Sequence, residues 1–573
     1  MRRLSFLALA LALGFSVAHA GDTPSDKVPD VIGLAEKDNQ VMEHLDYLTN
    51  KIGPRLTGSS NIARAYEWAK GKFEEFGLKN VHTETWGEYP IVFDRGKMSG
   101  KVITEDGEKN LFFGSMAWTA GTKGPVRGRA MWAPRTMEEL DKVKDQLKGA
   151  WLIVRSTGGG RRGGGGDGGG RRGGQNNANP DRDALRKALD EAGIAGMVRG
   201  ASSELILTDG RPNGITMDKL PTRVSVTITK DDYTAIAAKL EKDQKVELEL
   251  DVQNRFSAGP AQHKNVIGEI PGTDKADEVV IVGGHLDSWD GATGATDNGT
   301  GVATTMEAAR LLCKAGAHPR RTIRFILWSG EEQGLLGSAA YCKKHKDELA
   351  KVSCILIHDG GTNYVSGIQV TKAMAPLLEP ALAHLNFDEK MPFKVKTVTH
   401  LPFGVGSDHD SFLANGVPGF FWNQTGKQNY NHEHHTQFDT FEAAIPEYQK
   451  HSAVVIAMGA FSIANLDVLL PREDMLAPNS GFGRGGPRKM LGVSCDEELV
   501  IQSIVEGSLA EKAGLKEGDR LLSIGDTKIT SVEELREAVI ASEGKTKVRY
   551  VREGKELEVE VVFVTPEKKK RWL

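Results

Sequence analysis

The chain has 573 residues, 39% hydrophobic and 26% charged, with 73 Lys and Arg against 77 Asp and Glu. That length exceeds what one hydrophobic core fills, and the composition argues against a fibrous or wholly disordered chain, so several globular domains are expected. A net charge of −4 argues against a nucleic-acid-binding surface, and four cysteines without CxxC spacing argue against a disulfide framework or a thiolate zinc site.

Arg2 and Arg3, the apolar run Leu4 to Val17 and the small-residue site Ala18-His19-Ala20 have the pattern of a secretory signal at residues 1–20. The product is therefore expected to be exported, either periplasmic or extracellular. No later stretch reaches the roughly 18 to 20 consecutive apolar residues of a spanning helix, so no membrane span is expected. From Asn39 to Phe76 apolar residues recur at helical spacing and are interrupted at Ile52-Gly53-Pro54-Arg55, which predicts two helices flanking a turn. Residues 100–255 change to short β-type runs such as Gly149 to Val154, with a helix near Ala184 to Ala192, and read as a separate inserted α/β module. Inside it, 158–174 is nearly all glycine and arginine and is expected to form a surface loop. A basic strip for nucleic acid is the other reading of that composition, and the overall acidity and the leader weigh against it.

From Lys264 strands and helices alternate: Glu278 to Gly283, Gly301 to Leu312, Thr322 to Ser329, Gly334 to His345 and Cys354 to His358. The alternation predicts an α/β fold with a mixed, mostly parallel sheet and helices on both faces, whose functional groups gather where the strands run out into loops. Residues 21–99 and 256–470 are assigned to this domain, 471–488 to a linker and 489–567 to a final β-type domain.

The candidate chemistry lies at the strand ends. His285-Leu286-Asp287 places two side chains on one side of extended chain, and Asp287 suits the outer nitrogen of a metal-binding His285. Asp297 sits in the glycine-rich loop Gly294 to Gly301, just before a helix, where a metal ligand and an Asx helix cap are both open readings. Glu331 and Glu332 are adjacent carboxylates that point in different directions at a strand terminus, so one can face a metal and the other a substrate. Two like charges this close call for a neutralising cation. Asp359 follows the next strand, and the loop His432-Glu433-His434-His435-Thr436 offers nitrogen ligands.

These motifs resemble the M28 family of zinc aminopeptidases and carboxypeptidases. The likeness lies nearest its plasma glutamate carboxypeptidase (carboxypeptidase Q) branch, through Gly283 to Asp290, Leu327 to Gly334 and His434-His435-Thr436. The resemblance implies two Zn2+ per chain, with His285 and Asp359 on one, Glu332 and His435 on the other, and Asp297 bridging. It also implies that Glu331 is the general base, taking a proton from the bridging water and passing it to the leaving amine. Ser407-Asp408-His409 resembles a supporting motif of the family. The inserted module resembles the family's protease-associated domain.

Residues 489–567 resemble a PDZ domain through Gly507 to Asp519, the run Arg520 to Ile524 and a helix near Ser531 to Ile540, with Leu491-Gly492-Val493 at the place of the carboxylate-binding loop. That likeness implies a groove for an extended peptide or a C-terminus. The expected activity is hydrolysis of peptides or dipeptides near a chain terminus, as aminopeptidase, dipeptidase or carboxypeptidase. The alternative is a non-catalytic peptide- or protein-binding protein on the same fold. Asn298-Gly299-Thr300 matches a glycosylation sequon but is read as loop structure.

Overall fold

The computed structural model describes residues 22, 24–155, 180–212, 214–477, 491–495, 498–504, 508–530 and 532–563. The leader, the Gly/Arg-rich segment 158–174 and most of 471–488 lie outside the described residues. The described chain forms two compact units, one ending at Ala477 and one made by the residues from Leu491 onward.

The first unit is organised by a six-stranded sheet. Its order is Lys79–Asp94, Arg255–Ile270, Arg321–Trp328, Lys275–His285, Val352–Ile357 and Gly419–Phe421. The last four run parallel, and the two long strands at the other edge are antiparallel. The central strands are apolar at consecutive positions because both faces are covered. Val280, Val282, Phe325, Leu327 and Leu356 face a core shared with residues of the helices Ser60–Phe76, Thr300–Lys314 and Pro446–Ala464. Val279, Ile281, Ile326, Trp328, Ile355 and Ile357 face the other side, with Tyr341 of the helix Leu336–Lys344 and Phe412 of His409–Leu413. Each such side chain contributes about 1.5–3 kcal/mol on burial, so the strand ends are held on a rigid platform.

The start of the helix Thr300–Lys314 docks backbone to backbone on this sheet. A Cβ at Gly301 would lie 2.1 Å from the His358 carbonyl oxygen, which only glycine avoids. Asn298 bridges the junction: its Nδ2 donates to the His358 carbonyl at 2.8 Å and its Oδ1 accepts the Gly301 N–H at 3.0 Å. Asn298 is fully buried, so this sequon is loop structure in the folded chain.

The stretch from Met98–Thr104 to Glu247–Val252 builds an eight-stranded sheet of its own. The strands Val126–Trp132, Trp151–Ile153, Gly196–Gly200 and Ser225–Ile228 form its parallel part. Trp151, Val198, Val226, Ile236 and Leu248 are in its separate apolar core. The second unit has a four-stranded antiparallel sheet, Thr527–Lys528, Arg520–Ile524, Gly544–Arg552 and Lys555–Phe563 in that order, and the pair Val493–Cys495 with Ile501–Ile504. The helix Val532–Ala541 belongs to the same unit. Cys342 and Cys354 are buried as separate thiols. Among the described residues no helix is long and apolar enough to cross a membrane.

Candidate metal centre

Three adjacent parallel strands deliver acidic and imidazole groups to one end of the sheet. Lys275–His285 ends on His285, Arg321–Trp328 leads into Glu331 and Glu332, and Val352–Ile357 leads into Asp359. The first strand lies between the other two, so the chain crosses from one side to the other at this point, where ligands of such sheets bind.

The side chains converge on Asp297. Its Oδ1 stands 3.0 Å from His285 Nε2, and its Oδ2 stands 3.1 Å from His435 Nε2. His285 Nε2 is also 3.0 Å from Asp359 Oδ1, and His435 Nε2 is 3.0 Å from Glu332 Oε2. His434 Nε2 lies 3.5 Å from Asp297 Oδ2, and its ring stacks on that of His435 with centroids 3.8 Å apart. Glu331 Oε2 stands 4.0 Å from His285 Nε2, beside the cluster.

The outer nitrogen of His285 is satisfied by the backbone of Asp287. Its Nδ1 lies 3.0 Å from the Asp287 carbonyl oxygen, against 3.8 Å from the carboxylate. A proton on Nδ1 leaves the Nε2 lone pair facing Asp297 and Asp359. The Asp287 carboxylate does something else: it accepts the Thr57 hydroxyl at 2.8 Å and the backbone N–H groups of Glu331 at 3.3 Å and Glu332 at 3.4 Å. It thereby fixes the turn from which the two glutamates diverge.

Burial raises the Glu331 carboxyl well above the ordinary range, and the charges of Asp359 and Asp408 add to the effect. Burial pushes Glu332 up to about 8, helped by Asp297. Burial opposes the charged form of His285, but the carboxylates of Asp359 and Glu331 outweigh it and hold the imidazole high. Burial likewise works against ionised Asp297, yet His285 and His435 bring it well below the usual value. The cluster therefore holds more buried carboxyl groups than its own imidazoles can balance in the ionised form.

Several further residues support the centre, and Arg55 among them has no signal at motif level. Arg55, just after the helical segment Tyr47–Ile52, is buried, and it donates to the carbonyls of Leu286 at 2.7 Å, Thr293 at 2.9 Å and Gly294 at 2.7 Å. It pins the loop between His285 and Asp297. Asp439 accepts the Thr296 N–H at 2.5 Å, while its carbonyl accepts from Thr293 and Gly294. Trp289 N–H donates to Glu332 Oε1 at 2.9 Å. Asp408 is fully buried, and burial drives it up to about 7.

The donor set fits a metal. His285, Asp297 and Asp359 offer one group of atoms, Asp297, His434 and His435 a second, each within 4.8 Å of one another. Zinc bonds of about 2.0–2.2 Å place neighbouring tetrahedral donors about 3.3 Å apart, close to the 3.0 and 3.1 Å separations here. Nitrogen and carboxylate donors without thiolate are among the sets zinc accepts.

The chain is similar to known proteins along most of its length. Residues 265–459 match the model of peptidase family M28, and residues 500–552 match that of the PDZ domain. Carboxypeptidase Q of Mus musculus is 26% identical over 456 residues, covering 78% of this chain and 91% of the relative. A probable aminopeptidase of Saccharomyces cerevisiae is 29% identical over 217 residues, covering 34% of this chain and 56% of the relative. The crystal structure of a peptidase M28 precursor from Shewanella amazonensis superposes with a TM-score of 0.55 at 26% identity, over 80% of this chain and all of that one.

Proposed function

Because the chain belongs to peptidase family M28, and is a metallopeptidase with a C-terminal PDZ domain, we propose that it is an exported exopeptidase that works with two zinc ions per chain. The observation that carries this reading is Asp297, whose two carboxylate oxygens face different imidazoles at 3.0 and 3.1 Å. A carboxylate used from both sides is what a pair of metals requires, and the surplus of buried acid around it is what they would neutralise. His285 and Asp359 would hold one zinc, Glu332 and His435 the other, with Asp297 shared.

Zinc bound there supplies Lewis acidity, polarising the scissile carbonyl and lowering the pKa of water. The chain's own residues do the rest. Glu331 lies at the edge of the cluster, 4.0 Å from His285 Nε2, and takes the proton of the attacking water before delivering it to the leaving amine. Burial holds its carboxyl high, which suits a group that must both accept and release a proton. Asp287 keeps that carboxylate in place through the Glu331 N–H.

Export follows from the leader at residues 1–20. The stretch Met98 to Val252 acts as a protease-associated module, and the second unit offers a groove for an extended peptide or a C-terminus. The relatives' names include both a carboxypeptidase and an aminopeptidase, so the terminus read here is settled by assay. The test is zinc content per chain together with hydrolysis of N-terminally free, N-terminally blocked and C-terminally amidated peptides, for wild type and Glu331→Gln. About two zincs and an activity lost in the variant establish the mechanism; wild type without bound metal, or equal activity in the variant, overturns it.

A further inference from the structure

The stretch Glu204–Thr208 belongs to the inserted module, yet it runs along the loop that carries His435. Its contacts fall on every second residue, as in extended chain. The Glu204 carbonyl accepts from Gln437 Nε2 at 2.9 Å, the Ile206 N–H donates to Gln437 Oε1 at 2.9 Å, and the Thr208 N–H donates to the His435 carbonyl at 2.8 Å. One side-chain amide thus pairs with this segment as a neighbouring strand's backbone would. On the far side the Asp209 carbonyl accepts the Ala117 N–H at 2.9 Å, which ties the segment to the body of its module.

Three further contacts fasten the module beside the cluster. Thr208 lies so close to Gly291 that a Cβ there would meet its hydroxyl at 1.8 Å. Arg95, at the entry to the module, donates to Asp290 Oδ1 at 2.6 Å and to the Ser115 hydroxyl at 2.7 Å. Trp118 of the module packs edge-on against Trp289 at 6.3 Å, and Trp289 packs edge-on against His435 at 5.9 Å.

His435 needs such support. Its φ of +59° lies in the left-handed region, which a residue with a Cβ leaves unless its surroundings hold it there. The backbone carbonyl of this strained residue is the group to which the Thr208 N–H donates.

We propose that Glu204–Thr208 is a strut of the metal centre: the inserted module holds His435 in its left-handed conformation, so that the Glu332–His435 half of the centre is complete only when the module is docked. Gln437, through its amide, and Thr208, through its N–H, are positioning residues. The zinc part of this proposal rests on the assignment of His435 to the second zinc. The module thereby acts on metal retention, beyond any contact with substrate.

The test uses the full chain as wild type, Gln437→Ala, Thr208→Pro, which deletes the N–H, and Thr208→Ala, which keeps it. Hydrogen exchange of residues 430–440 is measured on metal-free protein, and zinc retention is measured against a competing chelator. Backbone exchange in that segment is expected to speed up about tenfold in Gln437→Ala and Thr208→Pro, with Thr208→Ala following wild type. The same two variants should keep about one zinc at a chelator concentration where wild type keeps about two. Unchanged exchange in both variants overturns the strut, whatever the zinc count. Faster exchange with zinc retention equal to wild type removes its link to the metal. A wild type that holds fewer than two zincs overturns the two-zinc reading instead, and the exchange comparison still decides the strut.

Discussion

The carboxylate of Asp287 accepts the backbone N–H of Glu331 at 3.3 Å, although sequence spacing pairs it first with His285. Its second oxygen takes the Glu332 N–H and the Thr57 hydroxyl, so one buried acid organises the turn that presents both glutamates. Asp287→Ala is expected to lower kcat about 10- to 100-fold, the usual cost of losing a group that orients a metal site. It should also cost about 1–3 kcal/mol for each donor left buried without an acceptor. Steady-state kinetics and denaturant titration check the two effects.

Glu331→Gln should retain its metal, because the Glu331 carboxylate stands 4.0 Å from His285 Nε2 while Asp297 and Asp359 approach it to 3.0 Å. The expected result is a loss of about 10²- to 10⁴-fold in kcat with little change in KM. Metal analysis on the same sample separates this outcome from loss of zinc.

Asp297→Ala acts on both halves of the cluster at once, since His285 and His435 share its carboxylate. Zinc content should fall at both positions, and activity by more than the roughly 100-fold attached to a supporting residue. Asp359→Ala, which touches His285 and not His435 among the ion pairs described, should weaken one position preferentially. Zinc per chain, titrated against a chelator, reads the difference.

The raised carboxyls should cost metal-free protein stability as pH rises from about 4, their unfolded value, to about 8. Burial raises Asp439 and Asp408 to about 7 and Glu332 to about 8. Folded-state values above the unfolded ones mean that these groups stabilise the fold at low pH and cease to as pH rises through the folded values. His285 and His435, both raised, act with the same sign. Asp297, lowered, has the opposite sign but acts only in acid. Buried His263, lowered to about 4, has the opposite sign and offsets part of this loss until the unfolded imidazole becomes neutral above about pH 6.5. Added zinc should abolish the decline. Thermal melts at several pH values, with and without chelator, make the comparison.

Gly301→Ala should destabilise the first unit by about 1–3 kcal/mol, as an overpacked contact does, since its Cβ would sit 2.1 Å from the His358 carbonyl oxygen. Denaturant unfolding measures this, with Gly316→Ala, where nothing stands within 4 Å of the new atom, as the spatially permissive comparison. Gly316 has φ +60°, so its variant reports backbone strain alone.

The α/β class and the approximate limits of the central strands were legible in the sequence because they depend on local periodicity. Val279 to Gly283 and Phe325 to Trp328 are apolar at consecutive positions, the pattern of a sheet covered on both faces. The acidic and imidazole residues were legible because strands deliver them directly into loops, and strand ends can be read from the same periodicity. What surrounds them was not. Arg55 carries no periodic or motif signal, since it acts on carbonyl groups of Leu286, Thr293 and Gly294, more than 230 residues later, which any side chains would supply. The Asp287 carboxylate bonds to Thr57, Glu331 and Glu332 only because three distant segments pack together. The docking of Glu204–Thr208 on the His435 loop is likewise a matter of backbone hydrogen bonds between remote segments. Local pattern determines which elements form and what chemistry they carry; long-range packing and backbone hydrogen bonding, which leave no mark in residue spacing, decide which groups hold that chemistry in place.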